Sequence, residues 1–98
     1  MVGSPGEKAE VYAGEGEAGR RIEAALRAQL PEGAGEEDLG GASDHASFAG
    51  AGIPTGGIFT GLDRCYHRAC DRIGNVDTEL AAQAARATAG ALVALAEG

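Results

Sequence analysis

The side chains best suited to chemistry at neutral pH are concentrated in one stretch of this 98-residue chain. Between Ser43 and Cys70 lie both histidines, both cysteines, both phenylalanines and one of the two tyrosines. An imidazole can transfer protons or bind a metal, a thiolate can attack a substrate, and a phenol can donate to a developing oxyanion. We therefore expect any functional site to draw on this stretch.

Two cysteines, Cys65 and Cys70, flank Tyr66 and His67 within a short segment. The spacing is compatible with a small disulfide loop, but a pair of free thiols would give the same pattern. A zinc knuckle would need a second pair of ligands, which the sequence does not supply. A disulfide here would add about 2 kcal/mol in the chain-entropy model and would fix the directions of Tyr66 and His67.

Two other motifs resemble functional signatures, and each has a simpler explanation. Residues 14–19, GEGEAG, match the GxGxxG dinucleotide fingerprint, but Glu15 and Glu17 would lie where a pyrophosphate must sit. A plain turn before a helix explains them better. Ser43, Asp44 and His45 contain the letters of a catalytic triad, yet adjacent residues cannot form that relay. A helix cap followed by a hydrogen-bonded histidine is the favoured interpretation.

Charge and composition exclude several classes of protein. The net charge of −7 argues against binding nucleic acids or anionic membranes, which require basic patches. No apolar run approaches the length of a membrane span, and the first residues lack the pattern of a signal peptide. Alanine supplies 21 of the apolar residues, so the large side chains are too few for a substantial core. We interpret the chain as a piece of a larger core.

The elements that must position the cysteine-flanked segment follow from periodicity and turn signals. The pattern predicts strands over 9–13 and 53–59, a short helical turn over 45–48 capped by Ser43 or Asp44, and a loop over 31–41. Apolar spacing predicts helices over 18–30 and 78–96, the second capped by Asp77 and widened by Leu92 and Val93. The order indicates a fragment of a layered α/β fold with about two short strands and two main helices.

Three segments, in order along the chain, carry a resemblance to a known family. They are SDHxxF from Ser43, GIPxGGxFTG from Gly52, and DRCYHxxCD from Asp63. Together they resemble the C-terminal part of the secreted di-zinc aminopeptidases of the bacterial aminopeptidase S type. The resemblance extends over nearly the whole chain.

The resemblance implies a fold and a set of roles. Residues 1–98 would be a partial peptidase domain, the C-terminal portion of a three-layer zinc-peptidase (phosphorylase/hydrolase-like) α/β fold. In such enzymes, histidines and carboxylates hold two zinc ions, and a glutamate activates the bridging water. His67 is similar to the last zinc ligand, and Tyr66 to the residue that stabilises the tetrahedral intermediate. Phe59 resembles a wall of the substrate pocket, and Cys65 and Cys70 resemble a disulfide.

Several departures from the family pattern limit these expectations. The other zinc ligands and the general-base glutamate belong to upstream motifs that this sequence does not contain. The stretch MVGSP, from Met1, resembles the residues directly after a zinc-binding aspartate. Ala42 replaces an arginine, and residues 62–64 form a shortened connection. Ala81 and Ala85 replace aspartates, so we expect no structural calcium site, and the loop over 31–41 takes the place of a strand.

The sequence therefore predicts the C-terminal part of a secreted zinc aminopeptidase that hydrolyses N-terminal residues from peptides. It carries at most one ligand for the two zinc ions, and we expect it to be inactive alone. Its expected partners are a peptide substrate and the missing N-terminal part of the domain, with no nucleic acid or membrane. One alternative is a non-catalytic module that binds a peptide or another subunit through GGIFTG. Another is a truncated product without function.

Overall fold

A computed structural model describes residues 2–6, 8–37, 39 and 42–98 of the chain. Three strands are present in this part: β1 (Glu10–Ala13), β2 (Gly35–Glu36) and β3 (Gly56–Phe59). The helices are α1 (Gly16–Arg27), α2 (His45–Gly50) and α3 (Thr78–Glu97), with a 3₁₀ turn at Ile73–Asn75. Of the predicted features, Met1 and loop residues 38, 40 and 41 lie outside the described residues.

The strands form one mixed sheet in the order β2-β1-β3. β1 pairs with β2 in parallel and with β3 in antiparallel, so that Glu10 lies opposite Phe59 and Ala13 opposite Gly56. The α/β class is confirmed. The predicted loop over 31–41 is wrong at Gly35–Glu36, which form the short strand β2. Gly and Glu are poor strand formers, and backbone pairing with β1 rather than side-chain preference creates this strand.

The helix α1 is shorter at its C-terminus than the predicted helix over 18–30. The backbone N–H groups of Gln29 and Leu30 donate to the carbonyls three residues earlier, so the last turn tightens before Pro31. Arg27 pairs with Glu23, one helical turn earlier, at 3.3 Å, and also donates to the Ala34 carbonyl at 2.6 Å. The arginine thereby holds the chain where it enters β2.

The core lies between the sheet and the two long helices. Val11 is fully buried on β1, and Leu26 of α1 and Ile58 of β3 pack around it. α3 contributes mainly small side chains to this core; its buried residues are Leu80, Ala84, Ala87 and Ala91. Alanines let helix and sheet approach closely but bury little apolar area each.

The predicted apolar face of α3 is confirmed at the residues that are buried. The prediction that Leu92 and Val93 widen this face is wrong. Leu92 and Val93 are exposed, with 64% and 56% of their surface accessible, so they do not widen the buried face. The Asp77 side chain accepts a hydrogen bond from the Leu80 N–H at 3.0 Å, which confirms the predicted N-cap. At α2, by contrast, Asp44 makes no capping hydrogen bond through its side chain. No helix within the described residues is both long and apolar enough to cross a membrane.

Candidate functional site

Cys65 and Cys70 are joined by a disulfide, which settles the choice left open by their spacing. The sulfur atoms are 2.06 Å apart and the Cα atoms 5.3 Å apart. Cys65 is buried and Cys70 is exposed, so the bond closes a turn that begins at the edge of the core and ends at the surface. Free thiols and a zinc-thiolate knuckle are both excluded for this pair.

The disulfide closes a tight turn that presents Tyr66 and His67 to solvent. Its backbone is held by hydrogen bonds from the Tyr66 N–H to the Asp63 carbonyl, at 3.1 Å, and from the Arg68 N–H to the Cys65 carbonyl, at 2.9 Å. His67 has a φ of 56°, in the left-handed region that costs a non-glycine residue roughly 1–2 kcal/mol. Such a conformation persists only where surrounding structure imposes it.

The rings of Tyr66 and His67 stack on one another. Their centroids are 3.9 Å apart and the ring planes differ by 27°. Tyr66 is 40% exposed, and His67 is also exposed, so both residues are accessible to a ligand. A phenol donor and an imidazole are therefore held side by side at the surface.

The turn follows directly from the C-terminal end of β3. Phe59, the last residue of that strand, is partly buried, and Thr60 after it is fully buried. Ser4 lies against this end of the strand, because its hydroxyl donates to the Gly61 carbonyl at 2.8 Å and its N–H donates to the Thr60 hydroxyl at 3.4 Å. Residues near the N-terminus thus pack beside the segment that leads into the cysteine-flanked turn.

Asp63 connects this turn to the start of α3. Its Oδ1 accepts hydrogen bonds from the Cys65 N–H at 2.8 Å and from the Asn75 side-chain amide at 3.0 Å. The Cys65 N–H makes the largest contribution to holding the pKa of Asp63 below its ordinary value. Desolvation acts in the opposite direction, and the Asn75 amide, the Ser4 hydroxyl and Arg64 lower the pKa further. Asp63 was not among the site residues predicted from the sequence, although an aspartate that accepts from the N–H two residues later is a recognised turn motif.

His45 lies at the other end of β3 from Tyr66 and His67. Its ring is 5.0 Å from that of Tyr12, near the pairing of Ala13 with Gly56. Its Nδ1 is buried without a hydrogen-bond partner among the described residues, so the expected hydrogen-bonded histidine is wrong at that nitrogen. The structure therefore brings Tyr66 and His67 together and leaves His45 apart from them.

Two depressions adjoin His45. One is a polar cleft of about 530 Å³ at the turn before α1, and the other is an apolar groove of about 290 Å³ between α1, α2 and α3. Gly19, in the first turns of α1, has a packing role, because a Cβ there would lie 1.8 Å from the Gly14 carbonyl oxygen. Close packing thus accounts for the last glycine of the GxGxxG pattern.

The candidate metal ligands of the described residues lie apart from one another. In residues 2–6, 8–37, 39 and 42–98, no three His, Cys, Asp or Glu side chains are grouped so that they can hold a metal ion. A protein zinc site needs at least three protein ligands, and His67 has no second and third ligand beside it in this part of the chain. The described residues therefore do not fit a zinc site by themselves.

Comparison with known proteins adds independent evidence. The profile of peptidase family M28 matches residues 1–92. Leupeptin-inactivating enzyme 1 from Streptomyces exfoliatus is 39% identical over a 66-residue alignment that covers 46% of this chain and 15% of that protein. Aminopeptidase Y from Saccharomyces cerevisiae is 45% identical over 47 residues, covering 37% of this chain and 9% of that protein. The chain thus spans only a small part of the length of these relatives. The family profile covers almost the whole chain. The chain therefore belongs to peptidase family M28, whose members are zinc-dependent peptidases.

Proposed function

We propose that this chain is the C-terminal part of the peptidase domain of a secreted zinc aminopeptidase that removes N-terminal residues from peptides. The family match supports a peptidase, and the name of aminopeptidase Y supports the direction of cleavage. The disulfide between Cys65 and Cys70 supports an oxidising compartment outside the cell, because such bonds are rare where thiols are kept reduced.

One observation carries the proposal: segments far apart in sequence converge at the Phe59 end of β3. Ser4, from the segment that resembles the residues after a zinc-binding aspartate, contacts Thr60 and Gly61. From Thr60 and Gly61 the chain continues into the turn that carries Tyr66 and His67. A peptidase active site needs this kind of convergence, since its groups come from different elements.

Tyr66 is assigned the role of hydrogen-bond donor to the substrate. Peptide-bond hydrolysis places negative charge on the carbonyl oxygen, and a fixed phenol O–H directed at that oxygen lowers the barrier. The exposure of Tyr66 and the stacking of its ring on His67 support this role, because a preorganised donor does not have to reorient during the reaction. Phe59, which precedes the turn on β3, is assigned to the wall of the pocket for the substrate side chain.

His67 is assigned as one zinc ligand, through an imidazole nitrogen. The remaining ligands and the general base would come from a part of the domain outside this sequence, since the described residues do not form a metal site. The ordering entropy needed to gather carboxylates from separate positions around a single histidine makes tight zinc binding by these 98 residues unfavourable.

The proposal is tested by comparing the chain alone with a chimera. Calorimetric titration of the 98 residues with zinc should give weak binding, and a leucyl-anilide assay should give no turnover. In the chimera, this chain replaces the region of aminopeptidase Y that the M28 profile aligns with residues 1–92, and both zinc binding and turnover should be present. His67→Ala should remove most of both, whereas His45→Ala should leave zinc content unchanged. Tight stoichiometric zinc binding by the chain alone, or a chimera indifferent to His67→Ala, would overturn the proposal.

The second candidate is a non-catalytic module that binds a peptide along β3. Within the described residues, β3 pairs only with β1, so its outer edge can accept an added strand. A peptide bound there should protect the backbone amides of Gly56 and Ile58, which point away from β1, from hydrogen exchange without being cleaved. Cleavage of bound peptides by the chimera would favour the peptidase instead.

A further inference from the structure

We propose that Asp63 is the residue that positions the Tyr66–His67 pair against the body of the protein. Its carboxylate oxygen Oδ1 accepts from the Cys65 N–H at 2.8 Å and from the Asn75 amide at 3.0 Å. Cys65 immediately precedes Tyr66 and is 2% exposed. A buried N–H must be paired, so the conformation at Cys65 depends on this carboxylate.

The disulfide alone does not fix the position of the Tyr66–His67 pair relative to the rest of the protein. It joins Cys65 to Cys70 and so restrains the internal shape of the turn. A bond between two residues of the same turn does not set how that turn is oriented relative to the sheet and helices. The hydrogen bond from Asn75 to Asp63, by contrast, connects the start of the turn to a residue twelve positions further along the chain.

The segment that carries Asn75 is itself firmly attached. Asn75 ends the 3₁₀ turn at Ile73–Asn75, and Asp77 follows as the N-cap of α3. The Asp77 N–H donates to the Gly3 carbonyl at 2.7 Å. Asp63 therefore ties the start of the cysteine-flanked turn to α3 and, through Asp77, to the N-terminal segment.

An ionised Asp63 suits this role better than a neutral group. Both donors point at the same oxygen, and hydrogen bonds to a carboxylate are stronger than those between neutral groups. The lowered pKa of Asp63 is consistent with a carboxylate that stays charged while it receives these bonds. The exposed Asp71, which directly follows Cys70, offers a matched acidic residue for comparison.

The stacking of Tyr66 and His67 can be measured by NMR, through the ring-current shift of the His67 ring protons. In an NMR spectrum of the 98-residue chain, stacking on Tyr66 at 3.9 Å should shift the His67 ring protons upfield. Asp63→Ala should abolish most of that shift while the disulfide, checked by intact mass, is retained. Asp63→Asn should keep most of it, because the amide oxygen can still accept both hydrogen bonds. Asp71→Asn should have no effect.

The shifts of the Val11 methyls report whether the core remains folded. If Asp63→Ala disturbs them, Asn75→Ala decides, since it removes only one donor: loss of much of the His67 shift supports the proposal, and retention overturns it. An unshifted His67 in the wild type, or an unchanged shift in a folded Asp63→Ala variant, also overturns it. The importance of Asp63 for catalysis rests on the proposed function. The NMR readout does not, so either proposal can fail separately.

Discussion

The two ends of β3 are attached to the neighbouring elements by different kinds of contact. At the Ala13 end, elements meet where side chains are absent: Gly19 lies against the Gly14 carbonyl, and a Cβ on Gly56 would be 2.4 Å from Ile22. At the Phe59 end, elements are joined by polar contacts and a covalent bond, through Ser4, Asp63 and the Cys65–Cys70 disulfide. We call these the glycine-packed end and the bonded end.

The difference explains where exposed functional groups can be held. Glycine contacts bring backbones close, but they do not orient side chains at the surface. The bonded end can impose a left-handed conformation on His67 and keep its ring stacked on Tyr66. At the glycine-packed end, His45 has a buried Nδ1 without a partner among the described residues. Only the bonded end has the fixed polar geometry that a catalytic site requires.

The largest expected effect distinguishes the two tyrosines, one at each end. In the chimera with aminopeptidase Y, Tyr66→Phe should lower kcat by roughly 10²–10³-fold, because loss of one oxyanion donor has that cost. Zinc content should hardly change. Tyr12→Phe makes the same chemical change at the glycine-packed end and should leave kcat unaltered. Steady-state kinetics on both variants measure the contrast, and equal effects on kcat would contradict the assignment of Tyr66.

The next effect concerns stability at the glycine-packed end. Gly19→Ala should destabilise the chain by about 3 kcal/mol, because the new Cβ must displace the Gly14 backbone. A loss of this size would leave only about 2 kcal/mol in a domain with a total stability of about 5 kcal/mol, the lower end for native proteins. Urea denaturation followed by circular dichroism measures it.

The control for Gly19 is Gly50→Ala, at the end of α2, where a Cβ meets nothing within 4 Å. That substitution should be neutral or slightly stabilising, since alanine restricts the unfolded chain more than glycine does. If the two alanine variants had the same stability, the close approach of Gly19 to the Gly14 backbone would not be the reason that position 19 is a glycine.

The disulfide sets a third, smaller effect at the bonded end. Replacing Cys65 and Cys70 together by serine should cost about 2 kcal/mol, the chain-entropy value for so short a loop. Hydrogen exchange should accelerate at the Tyr66 and Arg68 amides, whose hydrogen bonds define the turn. The β1 amides should lose only as much protection from exchange as the lower free energy of global unfolding accounts for. Uniform acceleration beyond that limit would show that the turn is not a separate local unit.

The sequence was sufficient where one local signal determined the outcome. The periodicity of α3, its cap at Asp77 and the α/β class were all predicted and are confirmed. The prediction was wrong where tertiary contacts act against local preference. β2 forms from Gly35 and Glu36 because β1 lies beside them, and Leu92 stays exposed although its helix is apolar.

The candidate site shows the same division. Tyr66 and His67 were identified from their motif, and the disulfide around them is present. Their catalytic roles remain predictions. Asp63, Ser4 and Asn75 were not identified as supports, because hydrogen bonds across 12 to 57 residues leave no periodic trace in one sequence. Only the folded arrangement reveals that these polar groups share one end of β3.

The smallest expected effect is the pH dependence of the bonded end. The pKa of Asp63 is lower in the folded state than the usual value near 4 for an unfolded chain, so its ionised form stabilises the fold. That contribution is fully present above about pH 4 and is lost as the pH falls through the lower, folded pKa. It should be small, because water screens a carboxylate that is partly accessible. Urea midpoints of the wild type and Asp63→Asn should therefore differ at pH 7 and converge as the pH falls below about 4. Asp71→Asn serves as the control for the general effect of removing one negative charge. If the wild type and Asp63→Asn stayed equally far apart over that pH range, hydrogen bonding to the charged carboxylate would not contribute to the stability of the bonded end.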